Sequence, residues 1–286
     1  MINLGLIGSG LVSQICHLPS FVDDKRVKFV AISDLNQDIL NKVSKKYSIK
    51  NRFTDYKVML QKCKLDGVVL ASNRNTIEEI SEYILKKKIN LFVEKPQSFS
   101  SKVAKKLIKL SNKNNVKYVV GYMKKYDNGI IFLKNYLKKK KGKIKSVYYE
   151  NFLGDSYQNP FEYFRIKKKK NTKSKDLNIK NKFLNNFSHN LNLLEYLFGE
   201  LKYKKNDLFD KKNGDGVLFF QNKKNQIILN CMNSGSKKWQ EEMHINYQTE
   251  KIILQFPTPL KKNSSAKIII KSYKNGTKIF PYIKPG

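Results

Sequence analysis

Cysteine is scarce in this chain, which has only Cys16, Cys63 and Cys231, an odd number of widely separated positions. They form neither a disulfide framework nor a metal-ligand spacing. No apolar run approaches the roughly 18 residues that a membrane-spanning helix needs. Met1 leads directly into a strand-like run, without a basic and then apolar leader. We therefore expect a cytoplasmic protein with no metal site and no membrane span.

Arginine is also scarce, with four residues among the 57 basic ones, although the formal net charge is +34. A strongly basic chain is typical of nucleic-acid binding, but arginine is the residue whose planar fork suits phosphates and base edges. The lysines are spread through short clusters, and asparagine is abundant, as an A-rich coding sequence would give. We interpret the charge as solvated surface and codon bias and expect no nucleic-acid partner. A field that attracts anionic ligands is the alternative.

The first 120 residues alternate between strand and helix patterns. Apolar runs that are buried on both faces and separated by helices predict a parallel sheet with right-handed crossovers. The expected strands are Ile2–Ile7, Val27–Ile32, Gly67–Ala71, Asn90–Val93 and Lys117–Val120. The expected helices are Leu11–Val22, Gln37–Tyr47, Tyr56–Cys63, Thr76–Lys87 and Ser100–Asn112, with Asp55 and Ser100 as candidate N-caps.

The pattern changes after about residue 122. Two helices are expected, Asn128–Lys139 and Leu184–Phe198, separated by a strand at Ile144–Phe152 and a lysine-rich exposed loop or frayed helix at 167–182. Strands dominate from residue 214 onward, with hairpin turns at 222–225 and 275–276. The fold class is therefore α/β. We expect a Rossmann-type parallel-sheet domain over residues 1–122, then an α+β domain with an open, mainly antiparallel sheet over residues 123–286.

A glycine-rich turn, Gly8-Ser9-Gly10, follows the first strand and opens the first helix. Gly8 permits a tight turn, Gly10 lets the backbone approach a pyrophosphate, and the helix N-terminus offers free N–H groups. Asp34 ends the second strand, where a carboxylate binds ribose hydroxyls. The alternative role for Asp34 is a cap for the following helix. Together the two features predict a dinucleotide site.

Two further residues have the chemistry of a reaction centre. Lys95, in Glu94-Lys95-Pro96, follows a buried strand at the sheet edge where ligands bind, and the proline keeps it out of the helical region. His189 is one of three histidines and lies in an otherwise apolar helix. The alternatives are an ordinary surface lysine and a structural histidine. His17, near the end of the first helix, is expected to pack or cap.

With these motifs together, the chain resembles the Gfo/Idh/MocA family of NAD(P)-dependent sugar oxidoreductases. The resemblance runs from the first strand to about residue 256. Its motifs are Leu4–Gly10, Ala31–Asp34, Phe92–Pro96, Gly121–Asp127 and His189–Gly199.

The resemblance implies NAD as cofactor and a sugar or nucleotide sugar as substrate, with a homo-oligomer, dimer or tetramer, assembled through the exposed sheet face. It places Lys95 and His189 in the reaction centre, with Asn185 where the family usually has an aspartate. The implied cofactor contacts are Gly8, Ser9, Gly10, Leu11, Asp34, Ser72, Asn73, Glu94 and Lys95. The implied substrate contacts are Lys125, Tyr126 and Asn192.

The chain also departs from the family pattern. An asparagine at 185 can orient a hydroxyl but cannot act as a general base. Asn73 and Ile77 stand where many members have proline and histidine. We also expect the closing C-terminal helix of the family to be missing, because the chain is shorter than most relatives. Two alternatives to a sugar dehydrogenase therefore stay open. One is a binding or regulatory relative without efficient chemistry, and the other is a nucleic-acid-associated protein.

Overall fold

The computed structural model of the chain describes residues 1–154, 164, 179–210, 215–222, 225–233, 239–259 and 264–280. The chain divides into two compact units. The first is Met1–Gly121 with Phe161–Asp176, and the second is Tyr122–Pro160 with Leu177–Gly286. Chain from beyond residue 122 thus contributes to the first unit, through a segment in which Phe164 is described.

The first unit is built on a six-stranded sheet of order β3-β2-β1-β4-β5-β6 in which the pairings are parallel. Its strands are β1 (Ile2–Ile7), β2 (Val27–Ser33), β3 (Asn51–Phe53), β4 (Gly67–Leu70), β5 (Asn90–Val93) and β6 (Tyr118–Val120). Its helices are α1 (Leu18–Val22), α2 (Gln37–Lys46), α3 (Tyr56–Lys62), α4 (Ile77–Lys86) and α5 (Ser101–Lys113). The strand order reverses between β1 and β4, which is where open α/β sheets bind ligands.

Both faces of this sheet are covered, which explains why its strands are continuous apolar runs. Leu6 and Val69 pack into a core with α1 and α2, whereas their neighbours Ile7 and Val68 pack into a core with α3, α4 and α5. Successive side chains of a strand point to opposite faces, so a strand buried on both sides needs apolar residues at consecutive positions.

Side-chain caps begin three of the described helices of the first unit. The carboxylate of Asp55 accepts the Lys57 N–H at the start of α3, and Ser100 Oγ accepts the Val103 N–H at the start of α5, so both predicted caps are confirmed. At α2 the cap is Asn36, whose side chain accepts the Ile39 N–H. The alternative reading of Asp34 as the cap of this helix is therefore wrong.

The second unit contains an eight-stranded sheet of order β14-β13-β12-β11-β7-β10-β9-β8. Its strands are β7 (Ile144–Leu153), β8 (Lys202–Asp210), β9 (Asp215–Gln221), β10 (Gln226–Asn233), β11 (Gln240–Tyr247), β12 (Glu250–Gln255), β13 (Lys267–Ser272) and β14 (Gly276–Phe280). The β7–β10 pair is parallel and the other pairs are antiparallel. Two helices, α6 (Asn128–Lys139) and α7 (Ile179–Phe198), complete it.

The core of the second unit lies on one face of its sheet. Ile130 and Leu133 of α6 and Phe187 of α7 are buried against inward residues such as Tyr149 and Ile245. Residues of the opposite sheet face are mostly partly exposed. An antiparallel sheet with one covered face needs apolar residues only at alternate positions, and that alternation is what the sequence shows here.

The expected fold class is confirmed, with a parallel α/β sheet first and a mostly antiparallel sheet after it. The sequence interpretation missed β3, β8 and β14, which are short or polar strands with few buried side chains. The lysine-rich stretch predicted at 167–182 lies outside the described residues up to 178, and its last residues belong to α7. No helix within the described part of the chain is long and apolar enough to cross a membrane.

Candidate functional site

The glycine-rich turn after β1 has a conformation that its two glycines permit in different ways. Gly8 has φ +89°, and a Cβ there would lie 2.5 Å from the carbonyl oxygen of Ala71. At Gly10 a Cβ would meet no atom within 4 Å, so the backbone borders open space. Ser13, at the usual third glycine position, is buried and donates from Oγ to the Gly8 carbonyl at 2.5 Å. The turn is thus closed on the protein side and open on the other.

A helical run follows this turn without interruption. It starts at Leu11, passes through a π-helical turn at Ser13–His17, and continues into α1. Gln14, in the π-helical turn, donates from Nε2 to the Ser9 carbonyl at 2.8 Å. The same side chain bonds the backbone of Phe164 in both directions, accepting its N–H at 2.8 Å and donating to its carbonyl at 3.2 Å.

Asp34, directly after β2, is tied to the glycine-rich turn. Its Oδ2 accepts from the Ser9 backbone N–H at 2.7 Å and from Ser9 Oγ at 2.8 Å, and its Oδ1 accepts from the Asn36 N–H at 2.8 Å. The residue is only partly buried. Its carboxylate therefore has hydrogen-bond capacity left for ligand hydroxyls beside the turn, which is the position of a ribose-binding acid.

Two more loops of the first unit end at the same sheet edge. After β4, the backbone of Ala71 and Ser72 packs against Gly8, and Asn73 organises the turn into α4 by accepting the Asn75 N–H on Oδ1 at 3.1 Å. After β5 come Glu94 and Lys95, with a cis peptide bond between Lys95 and Pro96. The carboxyl ends of adjacent parallel strands thus bring together all the residues that the sequence assigned to the cofactor.

Glu94 is engaged on both carboxylate oxygens. His17 Nε2 lies 2.9 Å from Oε1, and the Lys95 backbone N–H donates to Oε2 at 3.1 Å. Sequence reasoning expected His17 to pack or cap, and it is indeed buried, with its ring edge-on to Phe92 at 5.4 Å. The close approach of His17 to Glu94 was not foreseen from the sequence.

These residues fit a dinucleotide. The open backbone at Gly10 leaves room that a Cβ would fill, the helical run beginning at Leu11 presents its N-terminus there, and the Asp34 carboxylate stands beside the turn. Backbone N–H groups at a helix N-terminus favour a diphosphate, and a carboxylate favours ribose hydroxyls. Among the described residues, no group of three or more His, Cys, Asp or Glu side chains could hold a metal ion.

In the second unit, α7 carries two of the three predicted reaction-centre residues, Asn185 and His189. Asn185, His189 and Asn192 are partly buried on this helix, and residues four apart such as Asn185 and His189 share a face. The Tyr122 ring meets the His189 ring edge-on, with centroids 5.8 Å apart. Burial raises the pKa of the Tyr122 phenol, so its hydroxyl stays protonated well beyond neutral pH.

The turn before α6, Met123–Tyr126, divides its lysines between interior and surface. Lys124 is largely buried and forms an ion pair with Glu241, whereas Lys125 lies over the ring of Tyr126 with Nζ 5.2 Å from the centroid. The Tyr126 side chain is exposed. Lys124 is therefore committed to the buried ion pair, whereas Lys125 lies beside the exposed Tyr126.

Glu241 is the centre of a buried polar network that sequence reasoning missed. Its Oε1 accepts from Lys124, from Tyr149 and, at 3.1 Å, from Asn190 Nδ2, and its Oε2 accepts from Trp239 Nε1 at 3.2 Å. Burial and the nearby carboxylate hold the pKa of Tyr149 well above its usual value. The available signal was a charged residue in the inward register of β11, whose other inward residues are apolar. Because Asn190 follows His189, the network fixes α7 beside its candidate catalytic residue.

The first unit matches a known family model and a set of related proteins. Residues 2–122 match the model of the Gfo/Idh/MocA oxidoreductase family, described as having an NAD-binding Rossmann fold. Myo-inositol 2-dehydrogenase of Thermotoga maritima is 27% identical over 134 residues, which are 46% of this chain and 39% of that protein. Inositol 2-dehydrogenase of Salmonella typhimurium is 23% identical over 47% of this chain and 39% of its own length. The matches to these relatives thus span well under half of their length.

Solved structures extend the likeness to the whole fold. A dehydrogenase (MviM) from Clostridium difficile has a TM-score of 0.76 at 20% identity, covering 99% of this chain and 83% of its own. KijD10, a 3-ketoreductase from Actinomadura kijaniata in complex with NADP and TDP-benzene, has a TM-score of 0.80 at 12% identity, covering 98% and 85%. At such identities the likeness establishes the fold alone. Residues 2–122 of the chain thus match the NAD-binding Rossmann domain of the Gfo/Idh/MocA oxidoreductase family.

Proposed function

We propose that this protein is an NAD-dependent oxidoreductase that transfers hydride between the nicotinamide and a hydroxyl or carbonyl group of a sugar or nucleotide sugar. The observation that carries the proposal is the glycine-rich turn, open at Gly10 and flanked by the Asp34 carboxylate. The related proteins named as inositol dehydrogenases and a 3-ketoreductase favour a polyhydroxylated substrate.

The cofactor would be held by four loops of the first unit, those that follow β1, β2, β4 and β5. Gly8, Ser9, Gly10 and Leu11 would face the diphosphate, and Ser72, Asn73, Glu94 and Lys95 would line the path toward the nicotinamide. Asp34 would bind the adenosine ribose hydroxyls. A carboxylate at this position repels a 2′-phosphate, so we propose NAD(H) over NADP(H), although the ketoreductase neighbour was solved with NADP.

The chemistry of the proposed reaction uses residues of both units. The bound nicotinamide supplies the hydride acceptor or donor. In the oxidative direction, His189 would take the proton of the substrate hydroxyl while the carbon-bound hydrogen leaves as hydride. The Lys95 ammonium would stabilise the developing alkoxide, and Asn185 would orient the hydroxyl by hydrogen bonding. Lys125, Tyr126 and Asn192 would contact the rest of the sugar. That Lys95 and His189 meet at one substrate stays a prediction.

The proposal also covers the oligomeric state, the location and the partners of the enzyme. We propose a cytoplasmic homo-oligomer, dimer or tetramer, in which the partly exposed face of the second unit's sheet is covered by another copy. The partner in the reaction would be a small molecule, with neither nucleic acid nor a membrane involved. Sedimentation of the purified chain at micromolar concentration checks the assembly, and a monomer would contradict it.

The cofactor site is tested by NADH titration of the wild type and the Gly10→Ala variant. Because a Cβ at residue 10 meets no protein atom within 4 Å, the variant should unfold at the wild-type temperature. The same methyl group would occupy the approach of the diphosphate, so NADH affinity should fall at least about 10-fold. Asp34→Ala should narrow the difference in affinity between NADH and NADPH. A wild-type protein that binds neither cofactor, or that prefers NADPH, would contradict the assignment.

The reaction is tested with a panel of sugars and nucleotide sugars. Lys95→Ala and His189→Ala should each lower turnover by about 10²-fold or more, within the range of a positioned acid or base, and leave NADH affinity nearly unchanged. Asn185→Asp restores the family's usual carboxylate and should raise the rate. The second candidate function, a cofactor-binding relative without turnover, is favoured by the asparagine at 185. It would be supported if the wild type binds NADH but oxidises or reduces nothing in the panel.

A further inference from the structure

His17 is a buried histidine for which the proposed reaction has no use. Its side chain is 9% exposed, and its Nε2 lies 2.9 Å from Oε1 of Glu94. Its ring stands edge-on to Phe92, with the centroids 5.4 Å apart. The ring is thus enclosed between Phe92 and the Glu94 carboxylate and is in close contact with both.

Glu94 also contacts the next residue. Its second carboxylate oxygen accepts the backbone N–H of Lys95 at 3.1 Å. The carboxylate therefore bridges the His17 ring and the backbone from which the Lys95 side chain extends. The end of β6 closes the other side, where a Cβ on Gly121 would lie 3.3 Å from Glu94 Oε1 and 3.3 Å from Phe92 Cζ.

The other end of the same helical run holds the glycine-rich turn. Ser13 Oγ donates to the Gly8 carbonyl, and Gln14 Nε2 donates to the Ser9 carbonyl. Four residues after Ser13, at the end of the π-helical turn, stands His17. A π-helical turn inserts one residue into a helix, and each residue turns the helix by about 100°. Without the insertion, the ring of residue 17 would face about 100° away from Glu94.

We infer that His17 is a positioning residue that couples the diphosphate-binding turn to Lys95. The π-helical turn aims its ring at Glu94, Glu94 holds the Lys95 backbone, and the start of the same helical run holds the turn at Gly8 and Ser9. The inference rests on the proposed function, since it gives this arrangement the task of keeping Lys95 at a fixed place beside the nicotinamide. A displacement of about 1 Å in such a group can cost about 10²-fold in rate.

The test uses NADH alone as the probe, so that it does not depend on finding the sugar. His17→Leu removes the nitrogen that lies beside Glu94 and keeps an apolar side chain against Phe92, whereas His17→Gln keeps a polar side chain with an N–H donor at this position. His244→Leu is the matched control, because His244 makes the other close histidine–glutamate contact of the described residues, with Glu242 on the sheet of the second unit. Lys95→Met gives the reference value for the fluorescence of NADH bound to a site that lacks the lysine.

For His17→Leu, the fluorescence lifetime of bound NADH should move toward that of Lys95→Met, while the NADH dissociation constant changes less than about 3-fold. His17→Gln should return the lifetime most of the way to wild type, and His244→Leu should leave it unchanged. With any sugar that is turned over, His17→Leu should lower kcat about 10- to 100-fold with a smaller change in KM.

Two results separate the failure of this inference from that of the proposed function. If Lys95→Met shifts the lifetime but His17→Leu keeps the wild-type lifetime, or if the glutamine variant behaves like the leucine variant, His17 does not position Lys95. If the wild type does not bind NADH, or Lys95→Met leaves the lifetime of bound NADH unchanged, the proposed cofactor site itself is wrong, and the coupling is overturned with it.

Discussion

Replacing Lys124 by methionine removes one charge from a buried ion pair and leaves the other behind. The side chains of Lys124 and Glu241 are 11% and 1% exposed. Breaking a buried pair from one side costs about 3–5 kcal/mol, because the remaining charge is uncompensated in a medium that solvates it poorly. Glu241 keeps hydrogen bonds from Tyr149, Asn190 and Trp239. We therefore expect the lower end of that range, about 3 kcal/mol.

The chain contains a matched control for this variant. Lys140, Glu250 and Tyr136 form a second lysine–glutamate–tyrosine cluster in the same unit, in which Lys140 is 22% exposed. Water reaches this pair more easily, so Lys140→Met should cost roughly 1 kcal/mol. A second comparison is the double variant Lys124→Met with Glu241→Gln, which has no buried charge but keeps an acceptor for Tyr149. Neutralising both partners is often close to neutral for stability, so we expect the double variant to recover most of the loss.

Urea unfolding followed by far-UV circular dichroism measures these differences. With about 2–4 °C per kcal/mol for a domain of this size, Lys124→Met should also lower the melting temperature by about 6–12 °C. The reasoning is refuted if Lys124→Met costs less than about 1 kcal/mol, or if the double variant is no more stable than the single one. Equal losses for Lys124→Met and Lys140→Met would show that burial does not govern the cost.

Three further predictions concern individual groups. Gly8→Ala should lower the free energy of unfolding by about 1–3 kcal/mol, because φ is +89° and the new Cβ would meet the Ala71 carbonyl; a wild-type urea midpoint would contradict this. Burial raises the pKa of Asp127 above its usual 3.8, so the folded state binds this proton more tightly and the group's contribution to stability falls as pH rises through that window. The free energy of unfolding of the wild type, measured relative to that of Asp127→Asn, should accordingly decrease from pH 3.5 to pH 6. A wild type that becomes more stable relative to the variant as pH rises would refute this. Burial also raises the pKa of the Cys231 thiol, so this cysteine should react with an alkylating reagent at pH 8 only after unfolding, as mass spectrometry of timed samples would show.

The sequence predicted the first unit well because its physics is local. Strands such as Gly67–Leu70 are buried on both faces and separated by amphipathic helices. Their apolar pattern, and the alternation of strands and helices along the chain, can therefore be recognised from consecutive residues. The site loops follow too, since the carboxyl ends of neighbouring parallel strands meet at one sheet edge. β8 was missed because Lys202–Asp210 is largely exposed and gives no apolar alternation.

What the sequence did not reveal depends on contacts between distant residues. Glu241 and Lys124 are 117 positions apart, and neither their spacing nor their composition announces a pair. The direction in which the His17 side chain points depends on a π-helical turn. The short run Ser13–His17 has no periodicity that would indicate such a turn. A charged or polar residue among the inward-facing residues of a strand indicates that it has a buried partner, but it does not identify that partner.

The hydrogen bonds between Gln14 and Phe164 have a consequence for how the first unit folds during synthesis of the chain. They join residues 150 positions apart, and Gln14 is 5% exposed. A ribosome-bound chain that has released only the first 122 residues holds a buried amide whose partners have not yet been synthesised. The Rossmann unit should therefore complete its fold only after about residue 164 has left the exit tunnel. A fragment cut at residue 122 should be less stable than the same unit within the full chain, by about the cost of an unsatisfied buried amide, 1–3 kcal/mol.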